Sequence, residues 1–336
     1  MSQELWKYCT KEQCRDFLLS LRLTGSLCHT DEKRVALLYG LSNHVDEHYH
    51  IRKLPKRGGG CRTICEPDPL LKYVQKQILC RVLSQFSPAP CACAYRKGMS
   101  LRDNALPHTG KEKVLKLDIR DFFGNITYSS IYQHVFPGTI FPPSVRTLLT
   151  SLCCYDSVLP QGAPTSPCIS NLVMKPFDQY MENWCAKRSI SYTRYCDDLT
   201  FSGSFDHVQV IRKVRSFLKR MGFELNTGKT RIITRGSRQE VTGLTVNDSP
   251  GVPRPYKRAL RQEWHYIKKY GISSHLERTS GISSITLEAK KHYLIQLAGK
   301  AGYILQIDPQ NLFFQEMRQE ILQLIQETGW QDASQN

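Results

Sequence analysis

The stretch Tyr195-Cys196-Asp197-Asp198 lies between two short runs that alternate as β-strands do, Ile190-Ser191-Tyr192-Thr193-Arg194 and Leu199-Thr200-Phe201-Ser202. Two such runs joined by a short polar segment are typical of a β-hairpin. The sequence therefore predicts a hairpin whose tip presents two adjacent carboxylates, those of Asp197 and Asp198.

A third acidic residue lies well upstream. The run Val114-Leu115-Lys116-Leu117-Asp118-Ile119 has the apolar character of a buried strand and carries Asp118 at its end, near Asp121. We expect this strand to bring Asp118 against the hairpin tip. Crowded carboxylates repel each other, and Mg²⁺ relieves the repulsion because it takes oxygen ligands and keeps positions for water and substrate phosphates. This arrangement suits phosphoryl transfer to a nucleotide.

The composition points to a large globular protein that binds a polyanion. The chain has 336 residues, 40% of them hydrophobic, and its 46 Lys and Arg against 30 Asp and Glu give a formal net charge of +16. An excess of this size favours nucleic acid as the partner. The alternative is a basic protein without such a partner, but the acidic residues placed for metal binding favour nucleic acid.

The sequence gives no sign of a membrane protein or of a disulfide framework. No stretch approaches the roughly 20 apolar residues that span a bilayer, and the opening residues 1–7 lack a signal-peptide core. We therefore expect a cytoplasmic protein without a membrane partner. The 13 cysteines are odd in number and match no strong zinc pattern, so free thiols are expected.

Two loops are candidates for contacts with a nucleotide. The residue pattern of 51–64 predicts a strand, a glycine turn and a second strand. This basic hairpin can fold over a triphosphate. Residues 159–167 form a Pro- and Gly-rich turn, in which Gly162 permits close backbone approach and the Gln161 amide can bond an incoming nucleotide. A solvated basic loop and a plain connector are the alternatives.

Helical patterns account for much of the remaining chain. They cover residues 1–50, then Pro69–Leu83, Val208–Met221, Leu287–Ile304 and Leu312–Ile325. A further basic helix after Pro255 has an apolar stripe, and its neighbouring face can track a nucleic-acid backbone. That face consists of Lys257, Arg261, His265 and Lys268. Lys229 is either a surface lysine or a group that neutralises or protonates leaving pyrophosphate.

The three blocks 117–123, 159–167 and 195–198, in this order, resemble the palm motifs of reverse transcriptases. The resemblance covers roughly residues 50–250 and implies an α+β right-hand polymerase, with fingers, a palm of antiparallel sheet backed by helices, and a helical thumb. We expect an N-terminal helical extension at 1–50, fingers at 51–110, a palm at 111–250 with a fingers insertion near 126–165, and a helical thumb and C-terminal RNA-binding region at 251–336.

Two further blocks resemble elements of bacterial retron reverse transcriptases, which are similar to group II intron enzymes. Asn104-Ala105-Leu106-Pro107-His108 resembles their Asn-Ala-x-x-His element, and Val241-Thr242-Gly243 resembles their Val-Thr-Gly element. This resemblance implies RNA binding at Asn104, His108 and residues 241–243. It also implies synthesis of branched msDNA from the structured msr-msd noncoding RNA, primed by a guanosine 2′-hydroxyl, often beside an effector protein in defence against phage.

The resemblance also implies roles for individual residues. Asp118, Asp197 and Asp198 would hold two Mg²⁺ ions with the carbonyl of Ile119 as an extra ligand. Phe123 would lie under the incoming dNTP sugar and exclude a ribose, and the alternative is a core aromatic. Lys56 and Arg62 would meet the phosphates, and Gln161 with Gly162 the nucleotide and its template base. Tyr195 and Cys196 would contact primer and template, although relatives commonly have Ala in place of Cys196.

Two alternatives to a retron enzyme remain open on the sequence. One is a group II intron-like or other bacterial reverse transcriptase without retron priming. The other is a catalytically idle scaffold that presents noncoding RNA to a partner, against which the three acidic residues and Gln161 argue.

Overall fold

The chain folds as two compact units. The computed structural model describes Trp6 and residues 8–55, 59–280 and 285–327. The first unit comprises residues 1–99 and 113–232, and the second comprises residues 100–112 and 233–336. The division into fingers, palm and thumb stays a prediction, because the two units do not map onto it one to one.

The described residues of the first unit contain both helices and strands. In chain order they are α1 (Lys11–Ser20), α2 (Asp31–Asn43), β1 (Tyr49–Pro55), β2 (Cys61–Pro67) and α3 (Pro69–Arg81), then, after α4 (Leu101–Ala105) of the second unit, β3 (Lys113–Asp118), α5 (Tyr128–His134), α6 (Pro143–Leu152), α7 (Ser166–Ala186), β4 (Ser191–Tyr195), β5 (Asp198–Gly203) and α8 (His207–Arg220). The boundary between the units falls within β6 (Arg231–Thr234). The elements that follow are β7 (Glu240–Val241), β8 (Leu244–Thr245), α9 (Arg254–Tyr270), α10 (Ile272–Ser280), α11 (Leu287–Ile307) and α12 (Leu312–Glu327).

Local capping explains where several helices begin. The side chain of Asp68 accepts a hydrogen bond from the Leu71 N–H at the start of α3, and Pro69 occupies the first turn, where its missing N–H costs nothing. Thr10 and Gln13 form a capping box at the start of α1. Each capping residue lies within a few positions of its partner, so these helix starts can be read directly from the sequence.

A four-stranded sheet with the order β4-β5-β3-β6 carries the acidic hairpin. Strands β4 and β5 pair antiparallel with Tyr195 opposite Asp198, and β5 pairs antiparallel with β3 along its whole length. The predicted hairpin and the predicted strand at residues 114–119 are therefore confirmed. The antiparallel sheet and its helices also confirm the predicted α+β class.

The core of the first unit joins this sheet to α7, α8 and the N-terminal helices. The predicted core face of α3 is fully buried at Leu71, Val74 and Ile78. Leu18 and Leu38 are also buried, whereas Phe17, Leu21 and Leu37 are partly buried and pack on the same cluster. The predicted helical region ends slightly early, because β1 already begins at Tyr49. The helices α5 and α6 were not predicted.

The second unit combines a short hairpin with helices. Strands β7 and β8 pair antiparallel around Thr242 and Gly243, whose φ angles are +48° and +82°. Positive φ at both central residues is what a tight hairpin turn with a right-handed strand twist requires. The predicted apolar stripe of α9 is buried at Leu260, Trp264 and Ile267. This burial confirms the predicted orientation of that helix.

Candidate functional site

The register of the sheet brings the distant acidic residues together. Asp118, the last residue of β3, lies directly opposite Asp198, the first residue of β5. Such cross-strand pairs have Cβ atoms roughly 4.5–5.5 Å apart. The Ile119 N–H donates to the carbonyl of Asp197 at 3.0 Å, which extends the pairing into the turn. The predicted convergence of the two stretches is thus present in the structure.

The turn that carries Asp197 contains only two residues. Cys196 has a φ of +60°, a conformation that is uncommon for residues other than glycine. The hydroxyl of Tyr95 lies 3.2 Å from the Cys196 sulfur and donates to it. Tyr195 and Cys196 are both half-buried, so the turn is supported on one side and open on the other.

Burial, neighbouring carboxylates and a lysine together set the electrostatics of the site. Burial raises the pKa of the Asp198 carboxyl, and the neighbouring charge of Asp197 raises it further. The ammonium of Lys229 lies 2.8 Å from Oδ2 of Asp118, and this hydrogen bond raises the pKa of Lys229. Lys229 therefore contacts Asp118 directly, and its predicted role toward leaving pyrophosphate stays a prediction. Its contact shows that Asp118 already attracts a cation.

The donor atoms suit a hard divalent cation. Asp118, Asp197 and Asp198 offer carboxylate oxygens, the ligands that Mg²⁺ prefers. In the part of the chain that the structure describes, no group of three or more His, Cys, Asp or Glu side chains, these three carboxylates included, could hold a metal ion in its present arrangement. An ion bound here would compete with Lys229 for Asp118.

The neighbouring strand β2 leaves no room for a side chain at Gly162. Its φ is +126°, and a Cβ added there would lie 2.7 Å from the carbonyl oxygen of Cys65 in β2. The carbonyl of Gln161 accepts a hydrogen bond from the Cys65 N–H at 2.7 Å. The backbone of β2 thus approaches Gly162 closely, and the predicted contact of Gly162 with a nucleotide stays a prediction. This contact fixes the 159–167 turn to the basic hairpin.

The other candidates for nucleotide contact lie on the same unit. Phe123 is partly buried and packs edge-on against Phe122, with ring centroids 5.4 Å apart. Arg62 is exposed on β2, opposite Leu54. Lys56 lies outside the described residues. The two predicted strands within residues 51–64 are confirmed as β1 and β2, and residues 56–58 of the predicted turn lie outside the described residues. The role of this hairpin at a triphosphate stays a prediction.

The two retron-like elements contact each other within the second unit. Nδ2 of Asn104 donates to Oγ1 of Thr242 at 3.3 Å. The side chains of Asn104, His108 and Val241 are buried, and burial lowers the pKa of His108 to about 3, so its imidazole stays neutral. Gly243 completes the turn between β7 and β8. The predicted RNA-binding role of these residues stays a prediction.

The basic face of α9 is partly engaged by α12. The Arg261 guanidinium lies over the rings of Phe313 and Phe314, at 5.3 and 5.2 Å, and Lys268 pairs with Glu320 at 3.1 Å. His265 is exposed and Lys257 is half-buried. The exposed side of α9 also carries three tyrosines that the sequence analysis did not single out, namely Tyr256, Tyr266 and Tyr270. Aromatic rings beside cations are typical of surfaces that bind single-stranded nucleic acid.

Sequence reasoning missed a buried ion pair behind the acidic turn. Arg194 of β4 and Asp178 of α7 are fully buried, with a nitrogen and an oxygen 2.6 Å apart. Burial opposes the charge of Arg194, but the Asp178 carboxylate outweighs it and raises the pKa of the guanidinium. The available signals were an arginine in an otherwise buried strand and an aspartate inside an apolar helix, since such residues are rarely buried without a partner.

The cysteines and the lengths of the helices bear on two further expectations, free thiols and the absence of a membrane-spanning segment. All 13 cysteines are free thiols, as predicted. Among the helices of the described residues, none combines the length and the apolar character that a membrane crossing needs.

Comparison with known proteins links these motifs to one family. A model of the family described as reverse transcriptase (RNA-dependent DNA polymerase) matches residues 54–252. The retron Ec86 reverse transcriptase of Escherichia coli is 32% identical over 272 residues, which cover 77% of this chain and 84% of the relative. The retron Mx65 reverse transcriptase of Myxococcus xanthus is 32% identical over 285 residues, covering 75% of this chain.

The lengths of these proteins differ. The chain spans 66% of the Mx65 relative, just under two thirds. Among solved structures, telomerase from Candida tropicalis in complex with a fragment of telomeric RNA has a TM-score of 0.45 at 12% sequence identity, covering 89% of this chain and 62% of that one. A likeness at this level carries no functional argument.

Proposed function

The chain belongs to the reverse transcriptase family, and within it to the retron reverse transcriptases, and from this we propose that it copies a structured noncoding RNA into DNA. The observation that carries the proposal is the pairing of Asp118 with Asp198 across β3 and β5. This pairing puts the acidic turn and the end of β3 at one edge of the sheet, as nucleotidyl transfer requires. The family also accounts for the order of the motifs along the chain.

The proposed cofactor is a pair of Mg²⁺ ions. Asp118, Asp197 and Asp198 would hold them through their carboxylates, and the carbonyl of Ile119 would add a ligand. When bound, such ions lower the pKa of the attacking hydroxyl and stabilise the charge on the triphosphate and the leaving pyrophosphate. Lys229 would release Asp118 and turn its ammonium toward the departing phosphates, a movement that its 62% exposed side chain permits.

Residues around the carboxylates would bind and select the dNTP. Arg62, with Lys56, would meet the phosphates from β2 and its turn, because a guanidinium binds phosphate oxygens in a bidentate way. Gln161 and Gly162 would face the nucleotide and its template base from the turn that is bonded to β2. Phe123 would place its ring under the sugar and exclude a ribose 2′-hydroxyl by steric overlap.

The remaining predicted residues would contact the primer, the template and the RNA. Tyr195 and Cys196 would contact the primer end and the template beside the carboxylates. The exposed cations and tyrosines of α9 would follow the phosphate backbone of the RNA. The paired elements around Asn104 and Thr242 would shape the second unit for its cognate RNA.

We also propose how DNA synthesis starts and which biological role it serves. Curated relatives that match this chain are named as retron reverse transcriptases. We propose that synthesis begins at a guanosine 2′-hydroxyl of the msr-msd RNA and leaves branched msDNA. A role beside an effector protein in phage defence, in the cytoplasm, belongs to the same proposal.

Synthesis without an added primer tests this function. The purified protein is incubated with Mg²⁺, labelled dNTPs and the noncoding RNA encoded beside its gene. The product is then treated with ribonuclease and afterwards with a debranching enzyme. We expect labelled DNA whose mobility changes when ribonuclease trims the attached RNA and changes again when the debranching enzyme removes the remaining branch. Extension of an added primer, with no product in its absence, would instead support a reverse transcriptase without retron priming.

The variant Asp197→Asn is the matched control. It removes one charge from the proposed metal site and keeps the shape of the turn, so extension should stop while RNA affinity stays within about twofold. Full extension by this variant would contradict the assignment of the carboxylates. RNA binding by wild-type protein that never extends any primer would favour the idle scaffold.

A further inference from the structure

The buried ion pair is connected to the acidic turn through hydrogen bonds. Nη1 of Arg194 donates to the carbonyl oxygen of Cys196 at 3.0 Å, while Nε and Nη2 bind both carboxylate oxygens of Asp178. Nη2 also donates to Oδ1 of Asn171 at 3.0 Å. The guanidinium therefore binds two helix side chains and the turn at the same time.

The backbone of Arg194 is held as firmly as its side chain. Its N–H donates to the carbonyl of Cys91 at 2.8 Å, and its carbonyl accepts from the Cys93 N–H at 2.8 Å. Nδ2 of Asn171 donates to the carbonyl of Ala94 at 2.8 Å, next to the tyrosine that contacts the Cys196 sulfur. The network thus reaches both sides of the acidic turn.

The acidic turn is a segment that needs such support. Cys196 adopts a φ of +60° without being glycine, and a non-glycine residue in this region carries a conformational cost. Asp197 and Asp198 are adjacent in the chain at this turn, and two carboxylates held so close together repel each other. Both effects favour other turn conformations, in which the carboxylates would point elsewhere.

We propose that Arg194, fixed by Asp178 and Asn171, is a positioning residue that holds the Cys196 carbonyl and thereby aims Asp197 and Asp198. The inference deepens the proposed function and rests on it. A planar guanidinium suits this task because its five donors have fixed directions, whereas a lysine ammonium is a single point. Arg194 touches no reacting atom, and its effect passes through the backbone of the turn.

The test replaces the ion pair without leaving a buried charge. In the background Tyr192→Phe, the pair is changed by Arg194→Met and Asp178→Leu, because apolar replacement of a buried ion pair often preserves stability. The background change matters because the Tyr192 hydroxyl donates to Asp178 at 2.9 Å and would lose its acceptor. Tyr192→Phe alone is the matched control, since it alters the same network and leaves the bond to Cys196 intact.

Two readouts separate positioning from general damage. Mn²⁺ affinity is measured by electron paramagnetic resonance, and kcat and KM for dNTP are measured by primer extension, with circular dichroism reporting the fold. In the triple variant we expect about tenfold weaker Mn²⁺ binding. We also expect about a hundredfold lower kcat at a similar KM. The Tyr192→Phe control should match the wild type in both within about threefold.

The results for the triple variant either support or overturn the positioning role of Arg194. A folded triple variant with wild-type Mn²⁺ affinity and kcat would overturn it. If the triple variant does not fold, Arg194→Lys carries the test, because it keeps the charge beside Asp178 but cannot span Asn171 and Cys196 as well. Wild-type values in that variant would also overturn the inference. A wild-type protein that never extends a primer refutes the proposed function, and Mn²⁺ affinity then still tests the positioning.

Discussion

Replacement of Gly162 by alanine should loosen the link between the 159–167 turn and β2. The φ of +126° at this position is one that L side chains rarely adopt, and holding alanine there costs about 1–3 kcal/mol. The added methyl would also lie 2.7 Å from the Cys65 carbonyl oxygen and 3.0 Å from Cγ2 of Ile64. Because the first of these atoms is backbone, β2 itself must move.

The two effects together set the expected loss of stability. Overpacking of this kind costs about 1–3 kcal/mol, so Gly162→Ala should lower the free energy of unfolding by about 2–6 kcal/mol. The shift should also lengthen the hydrogen bond between the Cys65 N–H and the Gln161 carbonyl, now 2.7 Å, and thereby raise KM for dNTP.

Urea denaturation followed by tryptophan fluorescence measures the first effect, and primer extension at varied dNTP concentration measures the second. Gly40→Ala is the matched control within the same unit, because Gly40 lies in α2 and has ordinary backbone angles, and no described atom outside the adjoining backbone of α2 lies within 4 Å of an added Cβ. That control should be neutral or stabilising by up to about 1 kcal/mol. A loss below about 1 kcal/mol in Gly162→Ala would refute the reasoning.

Three further predictions concern sugar selection, pH and salt. Phe123→Ala should admit ribonucleotides, and unchanged discrimination between dNTP and rNTP in single-nucleotide extension would remove Phe123 as the gate. His108 has a pKa of about 3 when folded, so between about pH 6.5 and 3 the unfolded chain binds a proton that the folded chain does not. Stability should therefore be lost as the pH falls below about 6.5, with about 1.4 kcal/mol lost through this residue by pH 5.5. Urea denaturation at pH 7.5 and 5.5 should show this loss in the wild type and a smaller one in His108→Gln, and equal losses in the two proteins would exclude His108 as the cause. Affinity for the noncoding RNA should fall steeply with added salt because phosphate contacts release counterions, and a flat response in filter binding would mean that the exposed cations of α9 do not face the RNA.

Local patterns in the sequence predicted most of the elements that build the site. The hairpin around Asp197, the strand ending at Asp118, the β1 and β2 pair, and the helices α3 and α9 all follow from the period of apolar residues and from nearby turn and cap residues. The order of the acidic and proline-containing blocks was enough to predict the family. These features are readable because the residues that specify them are close neighbours along the chain.

Contacts between distant residues were decided only by the tertiary structure. Neither the bond from Arg194 to the Cys196 carbonyl nor its ion pair with Asp178 is visible as a pattern, because the helix and strand that carry them meet only after folding. The same holds for Gly162 against β2 and for Lys229 on Asp118. The sequence determined which side chains are available for chemistry, and packing determined which backbone atoms and counter-charges surround them, since periodicity reports burial and not the identity of the neighbour.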